Sequence, residues 1–521
     1  MKAWPRGVVA VAAVAGFAGL VAWLAVAARA VAADSDGASL VLAGQSLVHG
    51  NVLLHGWIVS LDSFWSSDVL LYGLGVLVSG VSPALLTFVP ALLYAFVVAL
   101  GVAAAAISLP RRSAWVGGAV ALVLLAFPTW ALTLTVLRGA QHMGTVALCL
   151  AAFVALHHRR RAVAIGLTAA FLCAGTLGDL LTIAYGVVPI LCAGGMAALR
   201  ARRARAATVP VAASAAAVAA FVVVHAAIPA LGGFSARRAN PLAHGQQMLD
   251  NIRHLYSLGG ELIGLHTAVF GTDTTPTWLQ DAHVVVAVVV IGCALAAGVA
   301  LLAGVIRPTR PTLAGRSMDD LLVFAALGSA CSYVLLAFFN ATPFARYLAP
   351  AAIFMCVLAG RMLGRGWALV HGRVARRALP ALAGVVAILV VAGFAYRTSL
   401  PATTQPGTRL ASWLEQHGLH EGVGAYWSAS MVTVVSHDLV RVRPVVPDRA
   451  GRLVRYDWES DAAWYRRQRF DFLVFQPGSA AAGIDAANAT HTWGRPGRMV
   501  FVDGYEVIIW DRPFGVPAGA G

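Results

Sequence analysis

The chain has 521 residues, of which 59% are hydrophobic and only 12% are charged, and its formal net charge is +15. Soluble domains carry about twice that charged fraction, so the composition excludes an ordinary soluble protein. The positive charge does not indicate a nucleic-acid partner, because the arginines cluster in short hinges between long apolar runs. These basic clusters lie at residues 111–112, 157–161, 200–205, 307–310 and 361–377.

Apolar runs long enough to cross a bilayer recur along the chain, and they predict about eleven transmembrane helices. The predicted spans lie near residues 7–28, 83–108, 113–136, 140–157, 162–178, 180–198, 207–231, 283–306, 321–339, 348–364 and 378–396. With the N-terminus in the cytoplasm, every basic cluster falls on the cytoplasmic side, as the positive-inside rule requires. Residues 66–80 are then predicted to be an interfacial or partly inserted segment, because a span there would place Arg111 and Arg112 outside. Pro83 disfavours helix at the residue before it and so separates this segment from the next span.

The predicted fold class is therefore a polytopic α-helical membrane protein of the plasma membrane with a C-terminal extracytoplasmic α/β domain. Residues 1–396 form the transmembrane domain, with external loops at 29–82 and 232–282. Residues 397–521 form the soluble domain, in which a helix is predicted at 409–416 and another at 460–467. Its predicted strands lie at 422–427, 440–446, 470–475 and 505–510, with a hairpin turn at Asp503 and Gly504.

The first external loop is unusually polar for so apolar a chain. Asp34 and Asp36 follow the first span, a surface helix is predicted at 38–48, and His55, Trp57 and Asp62 come next. An acid at the end of a span can simply be solvated, and aromatic residues near a span anchor it at the interface. The same residue types also form sugar-binding sites, in which a carboxylate accepts a proton from an attacking hydroxyl or holds a divalent cation.

Other polar residues are predicted on the same side of the membrane. Asp179 stands between two apolar runs, where a charge is costly and a function is the default interpretation, although an acid in a helix turn is the alternative. Arg138 and His142 lie in the preceding external hinge. Arg346, followed by Tyr347, is placed outside against the positive-inside trend. Its guanidinium suits a phosphate ligand, and the alternative is an anchor to lipid headgroups.

This arrangement resembles the GT-C class of integral-membrane glycosyltransferases, which includes protein O-mannosyltransferases, aminoarabinose transferases of lipid A and oligosaccharyltransferases. Asp34-Ser35-Asp36-Gly37 stands where that class places its first-loop catalytic acid. Residues 50–57, and also Tyr426-Trp427-Ser428-Ala429-Ser430, resemble actinobacterial members. Two features depart from the class: Asp-x-Asp replaces the Asp-Glu pair of the mannosyltransferases, and the Trp-Trp-Asp motif of the oligosaccharyltransferases is missing.

The resemblance implies a bacterial enzyme that moves a sugar, with inversion, from a polyprenyl-phosphate donor to a glycan, lipid or protein of the cell envelope. Asp36 would orient or deprotonate the acceptor hydroxyl, and Asp34 is the alternative. Arg346, with Arg138 or His142, would neutralise the departing phosphate. The predicted substrate-binding residues are His55, Trp57, Asp62, Arg138, His142, Asp179, Arg346 and Tyr347. Whether a divalent cation takes part stays open. Two rival classes also stay open: a transporter or lipid flippase, and a non-enzymatic envelope protein.

Overall fold

The computed structural model describes residues 6–139, 142–236, 242–265, 275–306, 313–337, 345–369, 390–466, 468–478 and 483–518. In this part of the chain the helices are α1 (Arg6–Ala28), α2 (Ser35–Val48), α3 (Asp68–Ser79), α4 (Leu85–Ala106), α5 (Arg111–Ala126), α6 (Trp130–Val136), α7 (Met143–Leu156), α8 (Arg161–Gly178), α9 (Val188–Ala201), α10 (Thr208–Ala230), α11 (Gln246–Ile263), α12 (Thr277–Ile306), α13 (Leu313–Leu335), α14 (Ala349–Leu369), α15 (390–399), α16 (Thr408–Gln416), α17 (Tyr426–Val435) and α18 (Ala486–Trp493). The strands are β1 (Trp57–Val59), β2 (Ser235–Ala236), β3 (Glu421–Gly424), β4 (Arg441–Pro447), β5 (Leu453–Arg455), β6 (Ser460–Asp461), β7 (Phe470–Phe475), β8 (Arg498–Val502) and β9 (Tyr505–Phe514).

Eight helices of the described chain are long and apolar enough to cross a membrane, and a ninth span results if α5 and α6 are counted together. Those two helices meet at a bend of 80°. Pro128 lies in the break and cannot donate a backbone hydrogen bond, so the predicted span 113–136 is broken. The predicted span 140–157 corresponds to α7, which has only 14 residues. The predicted class is confirmed, although residues 307–310 and most of the predicted span 378–396 lie outside the described residues.

The first external loop contains a buried helix rather than the predicted surface helix. α2 buries Ser35 and the whole stretch from Gly37 to Gly44. It packs against α3 at a very close approach, since a Cβ on Gly44 would lie 2.6 Å from the backbone nitrogen of Gly73. α3, which lies in the predicted interfacial segment, exposes Leu74 and Val78.

The C-terminal region contains a six-stranded mixed sheet in the order β5-β4-β3-β7-β9-β8. β3 runs parallel to β4 and β7, and the outer pairs are antiparallel. Alternate residues of β7 face two apolar cores: Phe472 joins the core shared with the membrane helices, and Leu473 joins a separate core on the other face. Two predictions were wrong here. Tyr426 begins a helix instead of ending a strand, and residues 460–467 contain β6 and a short helical turn instead of a helix.

A small three-stranded sheet in the order β2-β1-β6 joins three segments that are distant in sequence. Ile58 of the first loop pairs with Ser235 on one side and with Ser460 of the C-terminal region on the other. The first loop, the loop after α10 and the C-terminal region therefore lie on the same side of the membrane domain. Their junction contains the polar residues described next.

Candidate active site

Asp36, in the first turn of α2, is held by two side chains from distant parts of the chain. Its Oδ2 accepts a hydrogen bond from Nη1 of Arg346 at 2.8 Å, and its Oδ1 accepts one from the hydroxyl of Tyr426 at 2.7 Å. Arg346 lies in the short helical turn before α14, and Tyr426 is the first residue of α17. The first loop, the membrane domain and the C-terminal region thus meet at one carboxylate.

Asp34 has a different role in the same turn. It is the N-cap of α2, and its Oδ1 accepts a hydrogen bond from the backbone N–H of Gly37 at 3.1 Å. Capping of this kind satisfies a backbone donor that the helix leaves unpaired. Burial raises the pKa of Asp34 to about 6, and the charge of Asp36 adds to the rise, while the Gly37 N–H and Arg346 oppose it. The geometry therefore separates a capping acid, Asp34, from an acid that contacts other functional groups, Asp36.

The turn at Arg138 lies against the start of α2. A Cβ on Gly139 would lie 3.2 Å from the Cα of Gly37, and Gly139 has a φ of +146°, which side chains rarely adopt. Glycine is thus required there for both reasons. Arg138 is exposed, and its positive charge acts to lower the pKa of Asp34. Arg138 therefore adds positive charge beside the acids without being buried among them.

A second polar cluster consists of Asp62, His142 and Asp179. Backbone pairing brings the first loop to the end of α8, because the N–H of Phe64 donates to the carbonyl of Gly178 at 2.7 Å. Nδ1 of His142 lies 2.8 Å from Oδ2 of Asp179. One ligand atom from each of the three residues lies within 4.8 Å of the other two. Two carboxylates and an imidazole form a set of ligands that can hold a metal ion such as Zn²⁺ or Mn²⁺.

The two acids of this second cluster are in opposite electrostatic situations. Burial acts to raise the pKa of Asp179, but the His142 imidazole and hydrogen bonds from His142, Thr145 and the Leu181 N–H prevail, so the pKa is lowered. Because Asp179 is ionised and can only accept, Nδ1 of His142 carries the proton in their hydrogen bond. Burial and the charge of Asp179 raise the pKa of Asp62 to about 7. The pKa of Asp179 is therefore lowered and the pKa of Asp62 is raised, so Asp62 is the carboxyl group of the two that takes up a proton more readily.

Glu459 of the C-terminal region links the two groups of acids. It is only 6% exposed, and its Oε1 accepts a hydrogen bond from the backbone N–H of Ser60 at 2.6 Å. Burial raises the pKa of Glu459 to about 7; the Ser60 hydrogen bond opposes the rise, and the charges of Asp36 and Asp62 add to it. Glu459 is therefore fixed to the first loop at Ser60, two residues before Asp62.

The remaining predicted residues make contacts around these groups. His55 is exposed, and its Nδ1 contacts the carbonyl of Gly232 at 2.6 Å. Trp57 is buried, and its indole N–H donates to Ser46. These two contacts hold the first loop in place. Tyr347 belongs to the site itself, because its ring lies 4.8 Å from the His142 ring and 5.3 Å from the Arg346 guanidinium.

Tyr426 and Glu459 were not among the predicted site residues. Tyr426 lies in a stretch that carried part of the family resemblance, but nothing in its neighbourhood indicated contact with Asp36, some 390 residues away in the chain. Glu459 follows Trp458 and directly precedes residues 460–467, for which a helix was predicted. Only the three-dimensional pairing of β6 with β1 brings it to the first loop.

The fold that the sequence resemblance predicted is found in solved structures of membrane proteins. Two crystal structures of ArnT from Cupriavidus metallidurans are similar to this chain over nearly its whole length. The apo structure has a TM-score of 0.57 at 13% identity, and the match covers 96% of this chain and 98% of the ArnT chain. The structure bound to undecaprenyl phosphate has a TM-score of 0.53 at 13% identity, with coverages of 95% and 97%.

The archaeal oligosaccharyltransferase AglB from Archaeoglobus fulgidus, in complex with an inhibitory peptide and a dolichol-phosphate, is similar at a TM-score of 0.48 and 11% identity. The match covers 88% of this chain and 69% of the AglB chain. No family model matches the sequence, and no curated protein matches it either. The similarity therefore lies in the fold, and the function must be argued from the site.

Proposed function

We propose that this protein is a membrane glycosyltransferase that transfers a sugar from a polyprenyl-phosphate donor to a cell-envelope acceptor on the outer face of the plasma membrane. The observation that carries the proposal is the carboxylate of Asp36, bound by Arg346 and Tyr426 where three parts of the chain meet. A base for the acceptor hydroxyl and a cation for the departing phosphate are the two groups that this transfer requires. The similarity to a fold that binds undecaprenyl phosphate in ArnT supports the choice of donor.

In the proposed reaction the acceptor hydroxyl oxygen attacks the anomeric carbon while the bond from that carbon to the phosphate oxygen breaks. The proton of the hydroxyl passes to the carboxylate of Asp36. The bonding electrons leave with the phosphate, so the polyprenyl phosphate gains negative charge. Arg346 is placed to neutralise this charge with parallel N–H donors, and stabilising a charge that grows in the transition state lowers the barrier. Attack opposite the leaving phosphate inverts the configuration of the sugar.

The proposal requires the N-terminus in the cytoplasm and residues 29–65 and 397–521 outside. Asp62, His142 and Asp179 are proposed to hold a divalent cation. A bound cation would supply additional positive charge beside the site, and it would keep Asp62 ionised. Because Arg346 acts to lower the pKa of both Asp34 and Asp62, the metal ligands lie within electrostatic reach of the acid pair.

The test is transfer by the purified full-length protein in nanodiscs. Geranylgeranyl phosphate linked to mannose, glucose, galactose or arabinose serves as a panel of donors, and an envelope extract serves as the acceptor. Release of geranylgeranyl phosphate that depends on the extract supports the proposal. Unchanged donors, together with vesicle-to-vesicle movement of a labelled lipid, would favour the transporter or flippase alternative. If the protein shows neither sugar transfer nor lipid movement, the remaining alternative is a non-enzymatic protein that binds an envelope component.

A further inference from the structure

The C-terminal region contacts the first loop at two separate places. At the first, α17 lies along α2: Tyr426 donates to Asp36, and the hydroxyls of Ser430 and Ser39 lie 3.0 Å apart. At the second, β6 pairs with β1 beside Glu459. The first loop therefore owes its position to residues that follow the last membrane helix. The C-terminal region is part of the active site's structure rather than a separate appendage.

The sheet of the C-terminal region holds Tyr426 in position beside Asp36. It follows β3, which lies between β4 and β7, and the N–H of Ala425 still donates to the carbonyl of Val474. The Tyr426 ring is buried and contacts the rings of Tyr456 and Trp427, with centroids 5.6 Å and 5.1 Å away. A side chain held in this way points its hydroxyl in one direction.

Asp36 has one charged partner and one neutral partner, and they bind different oxygens. In the proposed reaction some N–H donors of Arg346 bind the donor phosphate instead of Asp36. When a guanidinium binds a phosphate, its hydrogen bond to a carboxylate weakens, because the two anions compete for the same positive charge. Tyr426 carries no charge, so binding of the phosphate to Arg346 does not weaken the Tyr426 hydrogen bond in the same way. Its bond to Oδ1 therefore persists when the donor binds.

We propose that Tyr426 is a positioning residue that holds Asp36 toward the acceptor while Arg346 binds the donor phosphate. This inference rests on the proposed glycosyltransferase function and assigns the C-terminal region a part in it. Burial and the charge of Asp36 raise the pKa of the Tyr426 phenol well above its usual value, so the hydroxyl remains a donor.

The experiment compares Tyr426→Phe with Ser430→Ala in the nanodisc assay. Both variants remove one hydroxyl from the contact between α17 and α2, but only the first removes a bond to Asp36. Tyr426→Phe should lower kcat about 10–100-fold, because a small loss of orientation is costly. It should leave the KM for the donor and the Kd for geranylgeranyl phosphate unchanged. Ser430→Ala should match the wild type.

Other outcomes separate the inference from the proposed function. If Tyr426→Phe and Ser430→Ala both match the wild type, or if both lose the same activity with the same change in the donor KM, Tyr426 only supports the fold and the inference is wrong. Retained binding of geranylgeranyl phosphate shows that Tyr426→Phe is folded. If the wild type transfers no sugar, or if Asp36→Asn transfers as well as the wild type, the proposed function itself fails.

Discussion

Nη1 of Arg346 lies 2.8 Å from Oδ2 of Asp36, and both side chains keep some access to solvent, at 24% and 18%. Removing two charges from water is costly, and this desolvation offsets much of the attraction within a partly buried ion pair. This pair is therefore better explained by its position than by any stabilising effect. It joins a base to the cation that would bind the leaving group. A phosphate that enters must compete with Asp36 for Arg346, and this competition leads to two predictions.

The first prediction concerns the shape of the Arg346 side chain. Arg346→Lys keeps the positive charge but loses the planar pair of N–H donors, so it should weaken binding of geranylgeranyl phosphate about 10-fold. Binding is measured by fluorescence titration in nanodiscs. Arg409→Lys, at an exposed position of α16, is the matched control and should bind as the wild type does. Equal affinity of the Arg346→Lys protein would mean that the residue serves only as an anchor for lipid headgroups.

The second prediction is that Asp36→Asn has opposite effects on binding and transfer. Loss of a general base should lower transfer about 10²–10⁴-fold. The same change removes the anion that competes for Arg346, so geranylgeranyl phosphate should bind several-fold more tightly. Asp34→Asn should retain most of the activity, because asparagine caps a helix as well as aspartate does. Full activity of both single variants and of the Asp34/Asp36 double variant would exclude this loop as the catalytic site.

The sequence predicted those features that depend on local pattern. Apolar runs located most membrane helices, and the turn at Asp503 and Gly504 joins β8 to β9 as expected, with both residues at positive φ. What it did not predict are contacts between distant segments. α2 was expected on the membrane surface because its apolar pattern suits lipid and protein equally well, and only the fold brings α17 against it. Tyr426 and Glu459 were missed for the same reason.

The third prediction concerns topology. Ser412 is exposed on α16, in the region predicted to lie outside. Ser412→Cys should react with an impermeant maleimide in intact cells. Ala204→Cys, exposed in a basic hinge predicted to be cytoplasmic, should react only after lysis, and the wild type is the blank for the native cysteines. Labelling of Ala204→Cys in intact cells, with protection of Ser412→Cys, would reverse the orientation and remove the site from the outer face.

The fourth prediction concerns the metal site. Two carboxylates and an imidazole should retain Zn²⁺ or Mn²⁺ at about one ion per chain after dialysis, as measured by mass spectrometry of the metal. Asp179→Asn and Asp62→Asn should each lose the ion. Asp34→Asn removes an acid from the neighbouring group and should keep it. A wild-type protein that holds neither metal would leave Asp62 and Asp179 as a pair sharing a proton.

The stability of the fold depends on pH through Glu459, and the structure gives the direction of this dependence. Its pKa is raised from 4.5 to about 7, chiefly because it is buried. A carboxyl group whose pKa is higher in the folded state stabilises the fold below its unfolded pKa, and this contribution is lost as the pH rises through the folded pKa. Above pH 7 the buried charge therefore costs stability, up to about 3 kcal/mol. The hydrogen bond from Ser60, which joins the first loop to the C-terminal region, favours the ionised form and offsets part of this cost.

The fifth prediction follows from this sign. Glu459→Gln keeps an oxygen that can accept from the Ser60 N–H but cannot ionise. The variant and the wild type should melt at similar temperatures near about pH 5, and the variant should melt several degrees higher near about pH 8. Melting is followed by tryptophan fluorescence in nanodiscs. Glu415→Gln, which removes the same charge from an exposed position of α16, is the matched control. A Glu459→Gln protein that is less stable than the wild type at the higher pH would mean that Glu459 works as a buried anion, stabilised by positive charge from Arg346 or from a bound cation.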